Sequence, residues 1–161
     1  MSLSTRSMLL TLALLAGTGH AAADVASDPA THYPLTMPRM QALYRAQLNL
    51  IKASTAHPEL GDSLESDADE PATAAITRLQ AHPEFTRALA DAGLTAKEFV
   101  YINRSYMSGA FGVTYRQTMH GQLDKAYDAA NVDFCQTHQK ELDGLQDRFQ
   151  QQIEALVGSG D

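Results

Sequence analysis

The chain has 161 residues, 44% hydrophobic but only 7% aromatic, with 12 Lys and Arg against 19 Asp and Glu, one cysteine and a net charge of −7. That length holds one core, and the apolar fraction is enough to build it. A single cysteine excludes an internal disulfide scaffold, the acidic balance disfavours a nucleic-acid binder that relies on a basic face, and the apolar runs are too short for an integral membrane protein.

At the N-terminus, Arg6 precedes the apolar run Met8 to Ala16, and the small residues Ala21, Ala22 and Ala23 follow. One positive charge, a short apolar core and an A-x-A site, in that order, are what a secretory peptidase reads. Residues 1–23 are therefore expected to be a cleaved signal peptide, with the working chain starting at Asp24 in the periplasm. No cysteine stands near the cleavage site to make a lipoprotein. Cys135 alone cannot form an internal disulfide, so core packing must hold the exported fold together.

Residues 24–35, with Pro29, Pro34 and no apolar period, read as a flexible lead-in. Residues 36–157 read as one helical domain and 158–161 as a disordered tail. Thr36 caps a first helix in which Met37, Met40, Leu43, Tyr44, Leu48 and Ile51 recur at steps of three and four, and which ends before Pro58. An acidic segment follows, holding Glu59, Asp62, Glu65, Asp67, Asp69 and Glu70 without a base. Pro71 then opens a helix through Ile76 and Leu79. A short helix after Pro83 carries Phe85, Ala88 and Leu89 and stops at Gly93.

Thr95 and Glu98 form a capping box that starts a long helix running to about His120, with an apolar face wide enough to be central. A polar connector from Gly121 leads to Asn131, the expected cap of the last helix. There Phe134, His138, Leu142, Leu145, Phe149, Ile153 and Leu156 follow one seam. No alternating strand pattern with hairpin turns occurs. The expected fold is all-α, an antiparallel bundle of four main helices plus a short one.

Residues 51–60 and 76–85 share the pattern I-x4-A-H-P-E followed by an apolar residue. Helix punctuation explains it better than a paired-histidine metal site. Proline ends one helix and opens the next, His suits the negative end of a helix dipole, and Glu suits the positive end. Asp67-x-Asp69-Glu70 lacks the ligand order of a calcium-binding EF-hand loop and reads as a solvated acidic lead into a helix. Before His138, Phe134 and Thr137 stand where a covalent haem site needs cysteines, and no metal or cofactor is expected.

His138 reads as a hydrogen-bonded core histidine, and Cys135 as a packed thiol rather than a nucleophile. The signatures of serine hydrolases, zinc proteases and phosphate-binding loops are missing from the sequence. The long helix offers polar donors, Asn103, Arg104, Tyr106 and Arg116, beside the small residues Ser108 to Gly112, which let a backbone or ligand approach closely. Together with His138 these four are the candidate binding residues.

Leu35-Thr36-Met37, Ala92-Gly93-Leu94-Thr95-x-x-Glu98-Phe99 and Asn131-Val132-x-Phe134-x-x-x-His138-x-x-Glu141-Leu142 resemble segments of an uncharacterised family of small exported, periplasmic helical bacterial proteins. The resemblance implies an exported helical protein and carries no activity. The leading functional expectation is a non-catalytic protein that binds a partner, a basic one in view of the acidic surface. The alternative is a carrier of a small apolar ligand or cofactor between helices. A weaker third is an enzyme that uses His138 with Glu141 or Cys135.

Overall fold

The computed structural model describes residues 29–65 and 70–158. The expected signal peptide, the first residues of the lead-in, Asp67, Asp69 and the last three residues of the chain lie outside them. The fold is all-α. Its helices are α1 (Met37–Ala56), α2 (Ala72–Gln80), α3 (Pro83–Asp91), α4 (Ala96–Thr118), α5 (Ala129–Thr137) and α6 (Gln139–Gly158), with 3-10 segments at Pro29–His32 and Pro58–Leu64.

Local chemistry sets most boundaries. The Thr36 hydroxyl accepts from the Arg39 N–H at 3.4 Å and starts α1. The expected capping box is present: the Glu98 N–H donates to the Thr95 hydroxyl at 3.2 Å, and the Thr95 N–H donates to the Glu98 carboxylate at 2.9 Å. At the end of α3, Gly93 takes φ +81°. Its N–H donates to the Ala90 carbonyl, and the Leu94 N–H reaches back to Leu89. This is the left-handed helix stop that glycine adopts without a Cβ clash. The core is built from Met40, Leu43, Leu50, Leu79, Phe85, Leu89, Ile102, Leu142 and Phe149, each buried.

Three arrangements differ from expectation. Residues 29–35 are docked on the body. Ala30, Thr31 and Leu35 are buried, and their backbone groups are met by side chains from other elements. The fully buried Ser105 hydroxyl donates to the Ala30 carbonyl at 2.7 Å and accepts from the Tyr33 N–H at 2.8 Å. Asn131 accepts from the Leu35 N–H and donates to the Tyr33 carbonyl, both at 3.1 Å. A segment without periodicity is held this way because a buried backbone must find partners somewhere.

Asn131 therefore does not cap a helix. Asp128 does, accepting from the Asn131 N–H at 3.0 Å, which frees the buried Asn131 side chain for the docked segment. The last seam is also divided at His138, the cap between α5 and α6. The break lets the chain change partners: α5 packs on α4, and α6 packs on α1.

The third difference is direction. Tyr44 meets Gln146 and Phe149, while Leu48 and Lys52 share a groove with Gln152, Ala155 and Leu156. Both series climb together, so α1 and α6 run parallel. An up-and-down bundle would return its last helix antiparallel to the first. Here the Leu35–Asn131 bond joins the entrances of α1 and α5, and the chain enters α6 from the end at which it entered α1.

Candidate functional site

The five side chains singled out from sequence are placed in separate contacts. Arg104 donates to the Glu70 carbonyl. The Glu70 carboxylate is gripped through both oxygens by Arg78, at 3.1 and 2.7 Å, and Arg78 also donates to the Ser63 carbonyl at 2.5 Å. The two arginines thus tie the acidic segment to α2 and α4. Arg116 bridges α4 to α5 through Asp133 at 2.7 Å and Gln136 at 3.1 Å. Tyr106 stands beside the Tyr44 hydroxyl. Asn103 is half-buried.

His138 is half-buried rather than a core histidine. Its ring lies 4.7 Å from Phe134, and its Nδ1 is 2.8 Å from the Glu141 carboxylate. Asn103 and Tyr106 are three residues apart and share a face of α4, but Arg104 leaves it about 100° or more away, and Arg104, Arg116 and His138 each engage a different partner, so the five do not converge on one site.

The small residues of α4 serve packing. A Cβ at Gly109 would lie 2.9 Å from the Cys135 sulfur, and one at Gly112 would lie 2.3 Å from a Val132 methyl. The close approach they permit is that of α5. Cys135 is buried in this contact, and burial pushes its thiol up to about 11. The repeated histidines fall at helix junctions: His57 caps the end of α1, and His82 stands before α3. Among the described residues no three His, Cys, Asp or Glu side chains cluster to hold a metal ion.

What converges lies along the seam where α1 and α6 run parallel. A groove of about 290 Å³ there has Phe149 and Leu145 among its walls and Gln41, Arg45 and Arg148 beside them. A second, of about 190 Å³, continues past Gln152 to Leu48, Lys52 and Leu156. Gln152 lines both, making one open trough. Tyr44 contributes its ring, 5.5 Å from Phe149, while its hydroxyl donates to Gln146 at 3.0 Å. Burial, then the Tyr106 hydroxyl and the Asp143 charge, keep that phenol well above its ordinary value, so it is a neutral donor at any physiological pH.

Comparison with protein-family models, with curated proteins and with solved structures finds no match to the chain.

The electrostatics of the trough depart from those of the chain. Arg45, Lys52 and Arg148 form no ion pair among the described residues, and none has an acidic residue three or four places along its helix. Several acids, by contrast, are engaged. Glu70 pairs with Arg78, Asp133 with Arg116, Asp128 with His32, and Glu98 closes the capping box. On α6 the acids Asp143, Asp147 and Glu154 repeat at helical spacing on a face turned away from Arg148 and Gln152. Sequence reasoning passed over these bases, because the summed charge of the chain does not show where single charges lie. The absence of an acidic helical neighbour is the signal that marks them.

Proposed function

We propose that this protein is an exported, non-catalytic binding protein that receives a segment of a partner protein in the trough between α1 and α6. The observation that carries this reading is the pair of open grooves that meet at Gln152, lined by both apolar and polar side chains and bordered by three bases that pair with no acid among the described residues. A shallow, open surface suits a chain segment better than a small ligand, which is usually mostly enclosed by its site. The carrier alternative draws on the wide apolar face and the small residues of α4, and α5 fills the room beside Gly109 and Gly112. Export rests on the signal-like residues 1–23, and protein recovered from the periplasm should begin at Asp24.

Site-specific photo-crosslinking tests the reading. A benzophenone residue replacing Gln152 should give a discrete adduct in producing cells, while the same residue at Gln150, on the opposite face of α6, should not. Equal labelling from both positions, or an adduct only from the exposed Phe111 on α4, would overturn the assignment.

A further inference from the structure

We infer that the partner segment is an acidic amphipathic helix, which the α1–α6 trough recognises by charge at its rim and by leucine-sized side chains at its floor. This deepens the partner-binding reading and rests on it. Arg45 and Lys52 are seven residues apart on α1. Seven residues bring a helix back to within about 20° of the same face, about 10 Å further along its axis. Leu48 lies between them, three residues after Arg45, and lines the floor.

Across the trough, Arg148 reaches the groove wall on α6, with its guanidinium near Gly144, where no Cβ stands in the way. Two cations on one helix, a leucine between them and a third cation opposite form a pattern with a complement. A helix carrying carboxylates seven residues apart, with apolar residues three or four places after the first, would set each acid against a base and each apolar group against Leu48, Leu145 or Phe149. Gln41 and Gln152 supply neutral donors and acceptors between the charges.

The acids near the trough leave the bases unneutralised. Glu141 is engaged with His138. Asp143 acts on the Tyr44 hydroxyl, which donates to Gln146, and at five residues' spacing it leaves α6 about 140° away from Arg148. Asp147 and Glu154 project with Asp143. The net charge of the whole chain suggests a basic partner, but at this surface the unsatisfied charges are positive. Long-range repulsion between an acidic partner and the −7 chain falls off beyond about 10 Å at 0.1 M salt, whereas contacts at the trough lie within that range.

The test is fluorescence anisotropy with full-length mature protein and a labelled Ala/Gln-based helical peptide bearing glutamates seven residues apart with leucines between them. Two control peptides carry lysine for glutamate, or serine for leucine. The acidic, leucine-bearing peptide should bind, and both controls should bind at least about tenfold more weakly, a difference of about 1.4 kcal/mol. Joint replacement Arg45→Gln, Lys52→Gln and Arg148→Gln should cost a similar factor with an unchanged circular dichroism melt. The charge-matched replacement Lys97→Gln, Lys125→Gln and Lys140→Gln, away from the trough, should not.

Binding of the lysine peptide as tight as that of the acidic one, no binding of the acidic one, or equal losses in the two triple variants would overturn the inference. An adduct from Gln152 that survives the Arg45, Lys52 and Arg148 replacements would overturn the charge assignment and leave the trough as the docking surface. No adduct from Gln152 would remove the partner reading itself. An adduct with the mass of two copies of this chain would make the occupant a second protomer and also refute the inference.

Discussion

Replacing Asn131 with alanine isolates what holds residues 29–35 to the body. The Asn131 amide is 3% exposed; it accepts from the Leu35 N–H and donates to the carbonyls of Tyr33, at 3.1 Å, and of Thr31, at 3.5 Å. Truncation leaves at least the Leu35 N–H and the Tyr33 carbonyl without these partners, at about 1–3 kcal/mol for each group left buried. Tyr33 is only half-buried, which places its share at the low end. Alanine returns about 0.5 kcal/mol through its better helix propensity inside α5. The net loss is about 2–3 kcal/mol, or about 10 °C in Tm for a domain of this size.

Urea melts followed by circular dichroism give the global value, and amide exchange read by mass spectrometry gives the local one. If residues 29–35 undock before the bundle opens, exchange over them should accelerate first, and the global loss is then limited to what their docking contributes. Ser105→Ala acts on the same backbone, at Ala30 and Tyr33, so the double variant should cost less than the two single losses together. A change under about 0.5 kcal/mol with unaltered exchange at residues 31–35 would refute the view that these side chains hold the segment.

Gly112→Ala should destabilise by about 1–3 kcal/mol, because its Cβ would fall 2.3 Å from Val132 and force α4 and α5 apart. Gly144→Ala, whose Cβ would meet only the Arg148 guanidinium at 3.6 Å, should instead stabilise by about 0.5–1 kcal/mol; thermal melts of the pair check both signs. Glu98 is held below its ordinary value of 4.5 by the Thr95 N–H and hydroxyl. A carboxyl depressed on folding adds stability above that value and loses it as the pH falls through the folded one, so the stability gap between wild type and Glu98→Gln should shrink in acid. A gap that widens below pH 4 would contradict this. Cys135 should resist a thiol reagent at neutral pH and react at the rate of global opening, since burial both shields it and keeps it protonated; reaction at the rate of a free thiol would show that α5 does not cover it.

The parts of the fold that could be read from sequence are those whose cause lies within one helical turn. Thr36, the Thr95–Glu98 box and Gly93 each act on neighbours three to five residues away, and the spacing of Leu142, Phe149 and their seam marks the buried face of α6. The docking of residues 29–35 was not legible, because its causes, Ser105 and Asn131, stand more than seventy residues further along the chain. Asn131 shows the difficulty most clearly. An asparagine at the start of a helical pattern is a good cap by local preference, yet Asp128 lies three residues earlier and a buried Leu35 N–H needs an acceptor. The trough was hidden for a similar reason: its walls come from two helices a hundred residues apart whose parallel pairing no local signal specifies.

That pairing also bears on when the chain can fold. The bonds from Ser105 to Tyr33, from Asn131 to Leu35 and from Tyr44 to Gln146 each close a loop of seventy to a hundred residues. Contacts so distant along the chain slow folding, because closure entropy must be met before packing rewards it. A nascent chain lacking its last helix has no α6 to cover Tyr44, and one lacking α5 has nothing to receive the Leu35 N–H. The native core is therefore completed only after nearly the whole polypeptide has been made.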